Sequence, residues 1–411
     1  MRHTGPWLRA AEGAMLLGPD GVPAPTVFAE MSALAASTGA VNLGQGFPDE
    51  DGPVEVLDAA VQAIRDGVNQ YPPGRGTPDL RLAIAEHQRH WYGLQVDPDQ
   101  EVLVTAGATE ALAATLLALV EPGDEVVTFE PFYDAYGALI RLAGATHVTV
   151  PLTAPDFLPD ESTLRAAFSD RTRAVLINTP HNPTGRVLPT EVLRVVVELA
   201  ERHDAVIITD EVYEHLTFET DHAEDTENAT RARHVPIATL PGARERTVTI
   251  SSAGKTFSTT GWKIGWLTAP PALVTAITTV KQYLTFVNGA PFQPAVAAGL
   301  RLPDAVFTGI AADLAAKHAV LAAGLTAAGF GVHRPDGGYF VIADTSPLGY
   351  EDARAFCLEL PHLAGVVGVP VSAFVRPDHA AGYRSLVRFA FCKRRSVLED
   401  AAGRLATLSR A

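Results

Sequence analysis

From about residue 100 onward, short apolar runs alternate with amphipathic stretches of helical period. Runs rich in β-branched residues predict strands at residues 102–105, 125–129, 174–177, 205–209, 247–250 and 264–267. Helical patterns fill two of the connections, at residues 110–120 and 191–202. Strands that alternate with helices in this way predict βαβ units around a mostly parallel central sheet, with helices on both faces in an α/β/α sandwich.

The pattern changes near Pro291. Alanine-rich helical sequence at 295–302 and 311–328 leads into antiparallel-looking strands at 339–343 and 386–391, and a closing helix begins at Ser396. We therefore predict an N-terminal arm and part of a small domain at 1–48, a large domain at 49–292, and a small α+β domain at 293–411. The acidic segment 219–233 has no apolar period and is predicted to be a surface loop.

Composition narrows the classes of protein that fit. A chain of 411 residues with 47% hydrophobic and 19% charged residues can bury a large core and usually divides into two domains. The net charge of −15, without a basic run, argues against nucleic acid as a partner. Cys357 and Cys392 lie in apolar runs without metal-ligand spacing, which indicates reduced thiols, a cytoplasmic protein and no metal site. No secretion signal and no membrane-spanning stretch is predicted.

The stretch SSAGKTFSTTGWKIGW, which begins at Ser251, places Lys255 in a Gly-Lys-Thr triplet. A phosphate-binding P-loop would need a glycine five positions before Gly254, where the chain has Thr249. Because Thr249 lies inside a predicted strand, the loop cannot wrap around a phosphate there. Lys255 therefore needs another explanation.

Chemically active side chains follow four of the predicted strands. Ligands of open α/β sheets bind at the carboxyl ends of strands, so these positions are candidates for a site. The turn at 106–110 can offer backbone N–H groups to a phosphate, although an ordinary helix start would look the same. The loop at 178–185, NTPHNPTG, is rigid and can aim Asn182 inward, although a plain turn would also explain its prolines. Asp210 and Lys255 follow the next two strands.

One ligand has a group for each of these residues. Pyridoxal 5′-phosphate carries an aldehyde for a lysine amine, a pyridine nitrogen for a carboxylate, a phenolic oxygen for amide and phenol donors, and a phosphate for a helix N-terminus. A simple salt bridge between Lys255 and Asp210 is the alternative interpretation.

Five segments together resemble the class I/II aminotransferases, which are pyridoxal-phosphate enzymes of fold type I. They are NLGQGFPDE, NTPHNPTG, TDEVY, SSAGKTFSTTGWKIGW and LVRFAFCKR. The resemblance extends from about Thr26 to the C-terminus and is strongest to the branch of N-succinyldiaminopimelate aminotransferases and kynurenine/glutamine transaminases. It implies a cytoplasmic enzyme of amino-acid metabolism, with lysine biosynthesis as one assignment.

The resemblance implies a role for each candidate residue. Lys255 corresponds to the Schiff-base lysine, and Asp210 to the carboxylate that pairs with the pyridinium nitrogen. Tyr213 and Asn182 would contact the phenolic oxygen, and Tyr133, rather than its neighbour Phe132, would stack on the ring. The phosphate would be bound by Gly107, Ala108, Thr109, Ser252, Lys263 and, from the partner subunit of a homodimer, Tyr71.

For the substrate, Arg388 corresponds to the arginine that binds the α-carboxylate, and Gly44 would lie beneath that carboxylate. The implied reaction is a ping-pong transfer of an amino group to a 2-oxo acid, with N-succinyl-LL-2,6-diaminopimelate and 2-oxoglutarate as one substrate pair. Kynurenine or glutamine transamination and cysteine-conjugate β-elimination remain alternatives. Arg75 and Lys281 are candidates for binding a distal carboxylate. A regulator's effector domain is disfavoured, because too few residues precede Thr26 to form a DNA-binding module.

Overall fold

The computed structural model describes residues 5–18, 20–218 and 234–408, so the predicted acidic loop at 219–233 lies outside the described residues. The strands are β1 (Val41–Asn42), β2 (Val102–Thr105), β3 (Glu125–Glu130), β4 (Thr146–Thr153), β5 (Leu158–Pro159), β6 (Thr172–Asn178), β7 (Val206–Asp210), β8 (Thr247–Ser252), β9 (Gly265–Thr268), β10 (Gly331–His333), β11 (Phe340–Asp344), β12 (Val366–Val367), β13 (Val369–Pro370) and β14 (Leu386–Ala390).

The helices are α1 (Pro6–Gly13), α2 (Val27–Thr38), α3 (Val54–Arg65), α4 (Pro78–Tyr92), α5 (Gly107–Leu119), α6 (Asp134–Leu142), α7 (Glu161–Ala166), α8 (Thr190–Arg202), α9 (Ala253–Thr256), α10 (Pro271–Lys281), α11 (Phe292–Leu300), α12 (Asp304–Ala328), α13 (Ala353–Leu363) and α14 (Arg395–Leu405). Several begin and end at the expected cap residues. Thr77 accepts a hydrogen bond from the Leu80 amide at the start of α4, and Gly93 takes the left-handed conformation at its end.

The central sheet has eight strands in the order β2-β9-β8-β7-β6-β3-β4-β5. The neighbours β8, β7, β6, β3 and β4 are parallel, whereas β9 runs antiparallel to both β8 and β2. The prediction of a mostly parallel α/β sheet is therefore confirmed. Because β9 reverses direction, β2 runs parallel to β8, and the carboxyl ends of β2, β8, β7 and β6 meet at one edge.

Both faces of the central sheet are covered, as its continuous apolar strands require. Along β6, Val175 and Ile177 pack into a core cluster that includes residues of α8, whereas Ala174 and Leu176 pack into a cluster that includes residues of α5 and α10. Thr249, which stands where a P-loop would need a glycine, lies within β8.

The C-terminal part of the chain forms a second, antiparallel sheet in the order β10-β11-β14-β13. The short strand β1 pairs with β12, so residues 41–42 join the C-terminal part rather than the central sheet. This pairing agrees with an N-terminal segment that belongs partly to the small domain. The domain limits at 48 and 292 stay a prediction.

One helix corrects the expectation that no stretch is long enough to cross a membrane. Helix α12 has 25 residues and, by length and composition alone, is long and apolar enough to cross a membrane. Its buried positions recur every three to four residues along one face and include a charged one, Lys317. It packs against α14 and the small sheet, as a core helix of a globular protein does.

Candidate active site

The carboxyl ends of β2, β6, β7 and β8 surround a cavity of about 390 Å³. All the cofactor-binding and substrate-binding residues that the resemblance implies line this cavity except Gly44 and Tyr71. Phe132 does not line it, because its buried ring packs edge-on against His147 at 4.7 Å. The sheet topology thus brings together residues that are up to 281 positions apart in the chain, from Gly107 to Arg388.

Lys255 lies on the short helix α9, which begins directly after β8. The Ser252 hydroxyl caps this helix by accepting a hydrogen bond from the Gly254 amide at 3.3 Å. The Lys255 amine donates to the Tyr339 hydroxyl at 2.8 Å, and that hydroxyl donates to the Gly46 carbonyl at 2.6 Å. Burial lowers the pKa of Lys255, so its neutral, nucleophilic form is reached at lower pH than for an exposed lysine.

Asp210 is the last residue of β7 and is buried. Its Oδ2 accepts a hydrogen bond from the Tyr136 hydroxyl at 2.6 Å. Burial raises the pKa of Asp210 to about 6, although the Tyr136 hydrogen bond and the Lys255 charge act in the opposite direction. A buried carboxylate with an elevated pKa is suited to face a protonated ring nitrogen, whose positive charge would offset the cost of burial.

The N-terminus of α5 forms the positively charged end of the cavity. Ala106 offers no side-chain cap, so the amides of the first turn have no competing side-chain acceptor at the cap position. The Lys263 amine lies across this turn, and a Cβ built on Gly107 would be only 3.2 Å from it. Gly107 has a φ of +75°, which favours glycine. A dianionic phosphate would suit this end of the cavity. It would meet the positive end of the α5 dipole, the amides of the first turn of α5, the Lys263 amine and the Ser252 hydroxyl.

Arg388 is buried on β14 at the other end of the cavity, with 1% of its surface exposed. Its Nη1 donates to Asn182 Oδ1 at 3.0 Å and its Nη2 to the Gly44 carbonyl at 2.8 Å, while Phe340 and Phe374 pack on the guanidinium. Its Nε has no hydrogen-bond partner among the described residues. Burial lowers the pKa of Arg388 to about 10, and no carboxylate forms an ion pair with it within the described ranges. A carboxylate ligand would supply the missing charge.

The positions of Gly44 and Tyr71 differ from those of the other candidates. Gly44 holds Arg388 through its carbonyl, and a Cβ on it would lie 2.9 Å from a Val369 methyl, so its backbone approaches β13. Tyr71 is 81% exposed and contacts the ring of Phe286 at 5.5 Å. Within its own chain, Tyr71 therefore does not reach the cavity.

The two candidates for a distal carboxylate also lie outside the cavity. Arg75 donates to the carbonyls of Gln100 and Val102, and Lys281 donates to the carbonyls of Gly74 and Phe286. Both cations are thus engaged with backbone oxygens. The cationic side chains that do line the cavity are Lys255, Lys263 and Arg388.

Sequence reasoning missed Tyr136 and Tyr339, the direct partners of the two central residues. Tyr136 stands three positions after Tyr133, the spacing that places two side chains on one face of a helix start, and this signal was available. Tyr339 precedes β11 in the small sheet. Its contact with Lys255 depends on how the two sheets pack, which no local pattern reports.

Tyr339 is a positioning residue for Lys255, and Tyr339→Phe should reveal this. We expect roughly a 10- to 100-fold loss of kcat, because the hydrogen bond that orients the amine is lost. The pKa of Lys255 in the cofactor-free protein should fall further, since the hydroxyl accepts a bond that favours the ammonium form. The pH dependence of reaction with an amine-specific reagent measures this. Lower activity with an unchanged pH dependence would indicate a structural role only.

The comparisons with known proteins agree with this geometry. The sequence profile of "Aminotransferase class I and II" matches residues 38–405. The chain belongs to the class I and II aminotransferases. A probable N-succinyldiaminopimelate aminotransferase of Mycobacterium tuberculosis is 53% identical over 397 residues, which cover 94% of this chain and 96% of that protein.

Structural comparison gives the same family. The crystal structure of N-succinyldiaminopimelate aminotransferase from Mycobacterium tuberculosis matches with a TM-score of 0.88 at 54% identity, over 94% of this chain and 97% of that one. Mouse kynurenine–oxoglutarate transaminase 3 is 38% identical over 91% of this chain and 86% of its own length. Methionine aminotransferase of Escherichia coli is 38% identical over 93% of this chain and 96% of its own length.

This aminotransferase uses pyridoxal 5′-phosphate, the cofactor of its family. The residues that line the cavity fit that group. An amine with a lowered pKa, a buried carboxylate, a helix N-terminus beside an ammonium, and the rings of Tyr133 and Tyr213 stand around one space. The narrow space at Gly107, where a Cβ would lie 3.2 Å from the Lys263 amine, suits a phosphate group.

Proposed function

We propose that this aminotransferase transfers the amino group of N-succinyl-LL-2,6-diaminopimelate to 2-oxoglutarate in lysine biosynthesis. The observation that carries the proposal is the 53% identity to the mycobacterial relative across nearly the full length of both chains. The relatives that are described as kynurenine and methionine aminotransferases are 38% identical. The higher identity to the probable N-succinyldiaminopimelate aminotransferase, over a similar length of chain, supports a succinylated amino donor.

The proposed roles follow from the positions of the side chains. The cofactor supplies the aldehyde that takes up the amino group and the ring that accepts the electron pair left at the substrate's Cα. Lys255 Nζ would hold the cofactor, and its neutral amine would serve as the general base that takes the substrate's α-proton and as the acid that returns a proton. Asp210 would face the ring nitrogen and keep it protonated. The oxo acid leaves before the second oxo acid binds, which gives ping-pong kinetics.

Other residues orient the two ligands. Asn182 Oδ1 is occupied by Arg388, so its amide NH₂ is the end that can donate to the phenolic oxygen, together with the Tyr213 hydroxyl. The Gly107–Thr109 turn, Ser252 and Lys263, which line one part of the cavity, would bind the phosphate, and Tyr133 would pack on the ring. Arg388 binds the α-carboxylate that every amino and oxo acid substrate shares.

Arg388→Lys should lower kcat/KM for both substrates by roughly 10²-fold, because an ammonium keeps the charge but cannot form two parallel hydrogen bonds to a carboxylate. The loss should appear mainly in KM, and the yellow colour of the bound cofactor should be unchanged. Arg394→Ala is the matched control, since that arginine is exposed and pairs with Asp49. Equal effects of the two substitutions would contradict the assignment.

A donor screen tests the substrate proposal. Purified enzyme is assayed with N-succinyl-LL-2,6-diaminopimelate, kynurenine, glutamine and methionine against 2-oxoglutarate and pyruvate. We expect the highest kcat/KM with the succinylated donor and 2-oxoglutarate. Activity only with kynurenine or glutamine would contradict the proposal. Release of pyruvate and ammonia from a cysteine conjugate without an oxo acid would instead identify a β-lyase.

We further infer a homodimer with shared active sites. The exposed rings of Tyr71 and Phe286 contact each other and offer apolar surface that a second copy could cover, and the resemblance implies that Tyr71 reaches the partner's phosphate. Sedimentation should give twice the chain mass of 43.5 kDa, and Tyr71→Phe should weaken cofactor binding. A monomer with full activity would contradict this inference.

We also propose a cytoplasmic location. Both cysteines, Cys357 and Cys392, are free and buried, which suits a reducing compartment. Fractionation of cells that express the tagged chain should recover it with cytoplasmic markers, and recovery with membranes or in the medium would contradict the proposal.

A further inference from the structure

Two histidines and a glutamate are buried together beside the central sheet. His87 Nε2 and His215 Nε2 lie 2.7 Å apart, and a carboxylate oxygen of Glu214 completes a group of ligand atoms that all lie within 4.8 Å of one another. All three side chains are buried: His87 is 2% exposed, Glu214 5% and His215 7%. This His87–Glu214–His215 cluster does not contribute to the lining of the cofactor cavity.

The cluster joins two separate parts of the chain. His87 lies on α4, whereas Glu214 and His215 lie in the segment that follows β7, directly after Tyr213 and four or five positions after Asp210, the last residue of β7. Aromatic rings surround it: Trp91 and Phe307 contact His215 at centroid distances of 4.7 and 4.5 Å. A polar group within an apolar shell is the usual setting of a protein metal site, where the shell limits access of water.

The charges in the cluster are not balanced by a basic side chain. Glu214 accepts a hydrogen bond from the Ser251 hydroxyl at 2.6 Å, and no lysine or arginine forms an ion pair with it in the part of the chain that the structure describes. A carboxylate buried in this way carries a desolvation cost, and the neighbouring Glu211 is itself paired with His234 at 2.8 Å. A cation at Glu214 would remove this cost.

We propose that His87, Glu214 and His215 bind a divalent transition-metal ion of the zinc class. Two imidazoles and one carboxylate form a donor set typical of Zn²⁺, whereas Mg²⁺ and Ca²⁺ prefer oxygen ligands alone. The ligand atoms of the three residues already lie within 4.8 Å of one another, so the folded chain brings the donor set together before a metal binds.

The metal would replace the hydrogen bond between the two rings. Zinc to nitrogen bonds of about 2.0–2.1 Å at a tetrahedral angle separate two nitrogens by about 3.3 Å, so the rings must move apart by roughly 0.6 Å from their present 2.7 Å. Both rings must then carry their proton on Nδ1. The Nδ1 of His87 has no acceptor among the described residues, so we expect weaker binding than in a zinc finger.

The metal would act as a cross-link, not as a catalyst. It would fasten α4 to the segment that positions Asp210 and Tyr213, and it would stabilise the folded state because the unfolded chain does not hold the three ligands together. We therefore expect added Zn²⁺ to raise the unfolding temperature while leaving kcat nearly unchanged.

The test uses chelator-treated enzyme, both loaded with cofactor and cofactor-free, because pyridoxal 5′-phosphate itself binds metals. Titration calorimetry with Zn²⁺ should give one equivalent bound in both forms, and Co²⁺ should give visible bands of a site with fewer than six ligands. Anomalous diffraction at the zinc edge should place the ion between His87 and His215. Absence of stoichiometric binding, or an ion located at the cofactor, would overturn the proposal.

Variants identify the ligands. Glu214→Gln keeps the shape and removes the charge, and His87→Gln removes one imidazole. Each should weaken Zn²⁺ binding by at least about 100-fold while the cofactor colour is retained. His90→Asn is the matched control, because His90 lies on the same helix and pairs with Asp304 at the surface, with both side chains 59% exposed. Binding that is lost in His90→Asn and kept in both cluster variants would show that the metal lies elsewhere.

Discussion

Lys255→Ala is expected to reduce transamination by at least about 10⁴-fold, because the substitution removes both the amine that holds the cofactor and the general base. The variant should bind the cofactor without the absorbance band of the wild type. Single-turnover mixing with an amino donor, followed by the absorbance of the bound cofactor, measures the loss. The fold should be unaffected, since Lys255 contributes one side-chain hydrogen bond, to Tyr339.

Lys263→Ala is the matched control, since it removes the second lysine of the same stretch. That amine lies beside Gly107 at the phosphate end, so we expect weaker cofactor binding but nearly full activity once the site is saturated. If Lys263→Ala abolished turnover at saturating cofactor and Lys255→Ala did not, the roles of the two lysines would be reversed.

Asp210→Asn is the second large prediction. The neutral amide cannot hold the ring nitrogen protonated, so kcat/KM should fall by at least about 10³-fold, as when preorganised charge stabilisation is removed. Asn is nearly isosteric and can still accept the bond from Tyr136, so cofactor should still bind. The ratio of kcat/KM in variant and wild type measures the effect, and a loss below tenfold would contradict the assigned role.

Although Asp210→Asn should lower activity, it should raise the free energy of unfolding of the cofactor-free protein. The pKa of Asp210 rises from 3.8 to about 6 on folding. The unfolded chain therefore loses this proton first, and the native state is destabilised as the pH rises from about 4 to about 6, with the full cost present above that window. At 1.36 kcal/mol per pH unit, cofactor-free Asp210→Asn should be more stable than wild type by roughly 3 kcal/mol at pH 7.5.

Denaturant unfolding of the cofactor-free proteins measures this difference. The two curves should converge below about pH 3, where Asp210 is protonated in both the folded and the unfolded state. Bound cofactor should favour the wild type, because only the carboxylate can pair with a positive ring. An Asp210→Asn variant that is less stable at every pH would show that the carboxylate is paired in the folded protein by itself.

The sequence predicted six of the eight strands of the central sheet, all but β4 and β5, and most of the residues that line the cavity, because these depend on short-range patterns. The apolar run that begins after Thr172 ends in polar residues, and so do the two runs that lead to Asp210 and Lys255. Because β6, β7 and β8 pair in parallel, these polar ends lie together. The predicted helix at 110–120 spans Gly107–Leu119 in the structure, so it begins three residues earlier, at Gly107, whose φ is +75°.

What could not be predicted depends on contacts between distant parts of the chain. Tyr339 reaches Lys255 across 84 positions, and the His87–Glu214–His215 cluster joins residues 128 positions apart. The close approach of the Gly44 backbone to Val369 on β13 also depends on the folded chain, and the place of Gly44 beneath the substrate carboxylate stays a prediction.

The central claim is that Lys255 is the amine that holds the cofactor opposite Asp210. Borohydride reduction of the loaded enzyme, followed by protease digestion and mass mapping, tests it most directly. The account predicts one reduced cofactor group per chain, attached to Lys255 in the peptide that contains SSAGKTF. A label on Lys263 or another lysine, or no label on an active enzyme, would contradict it.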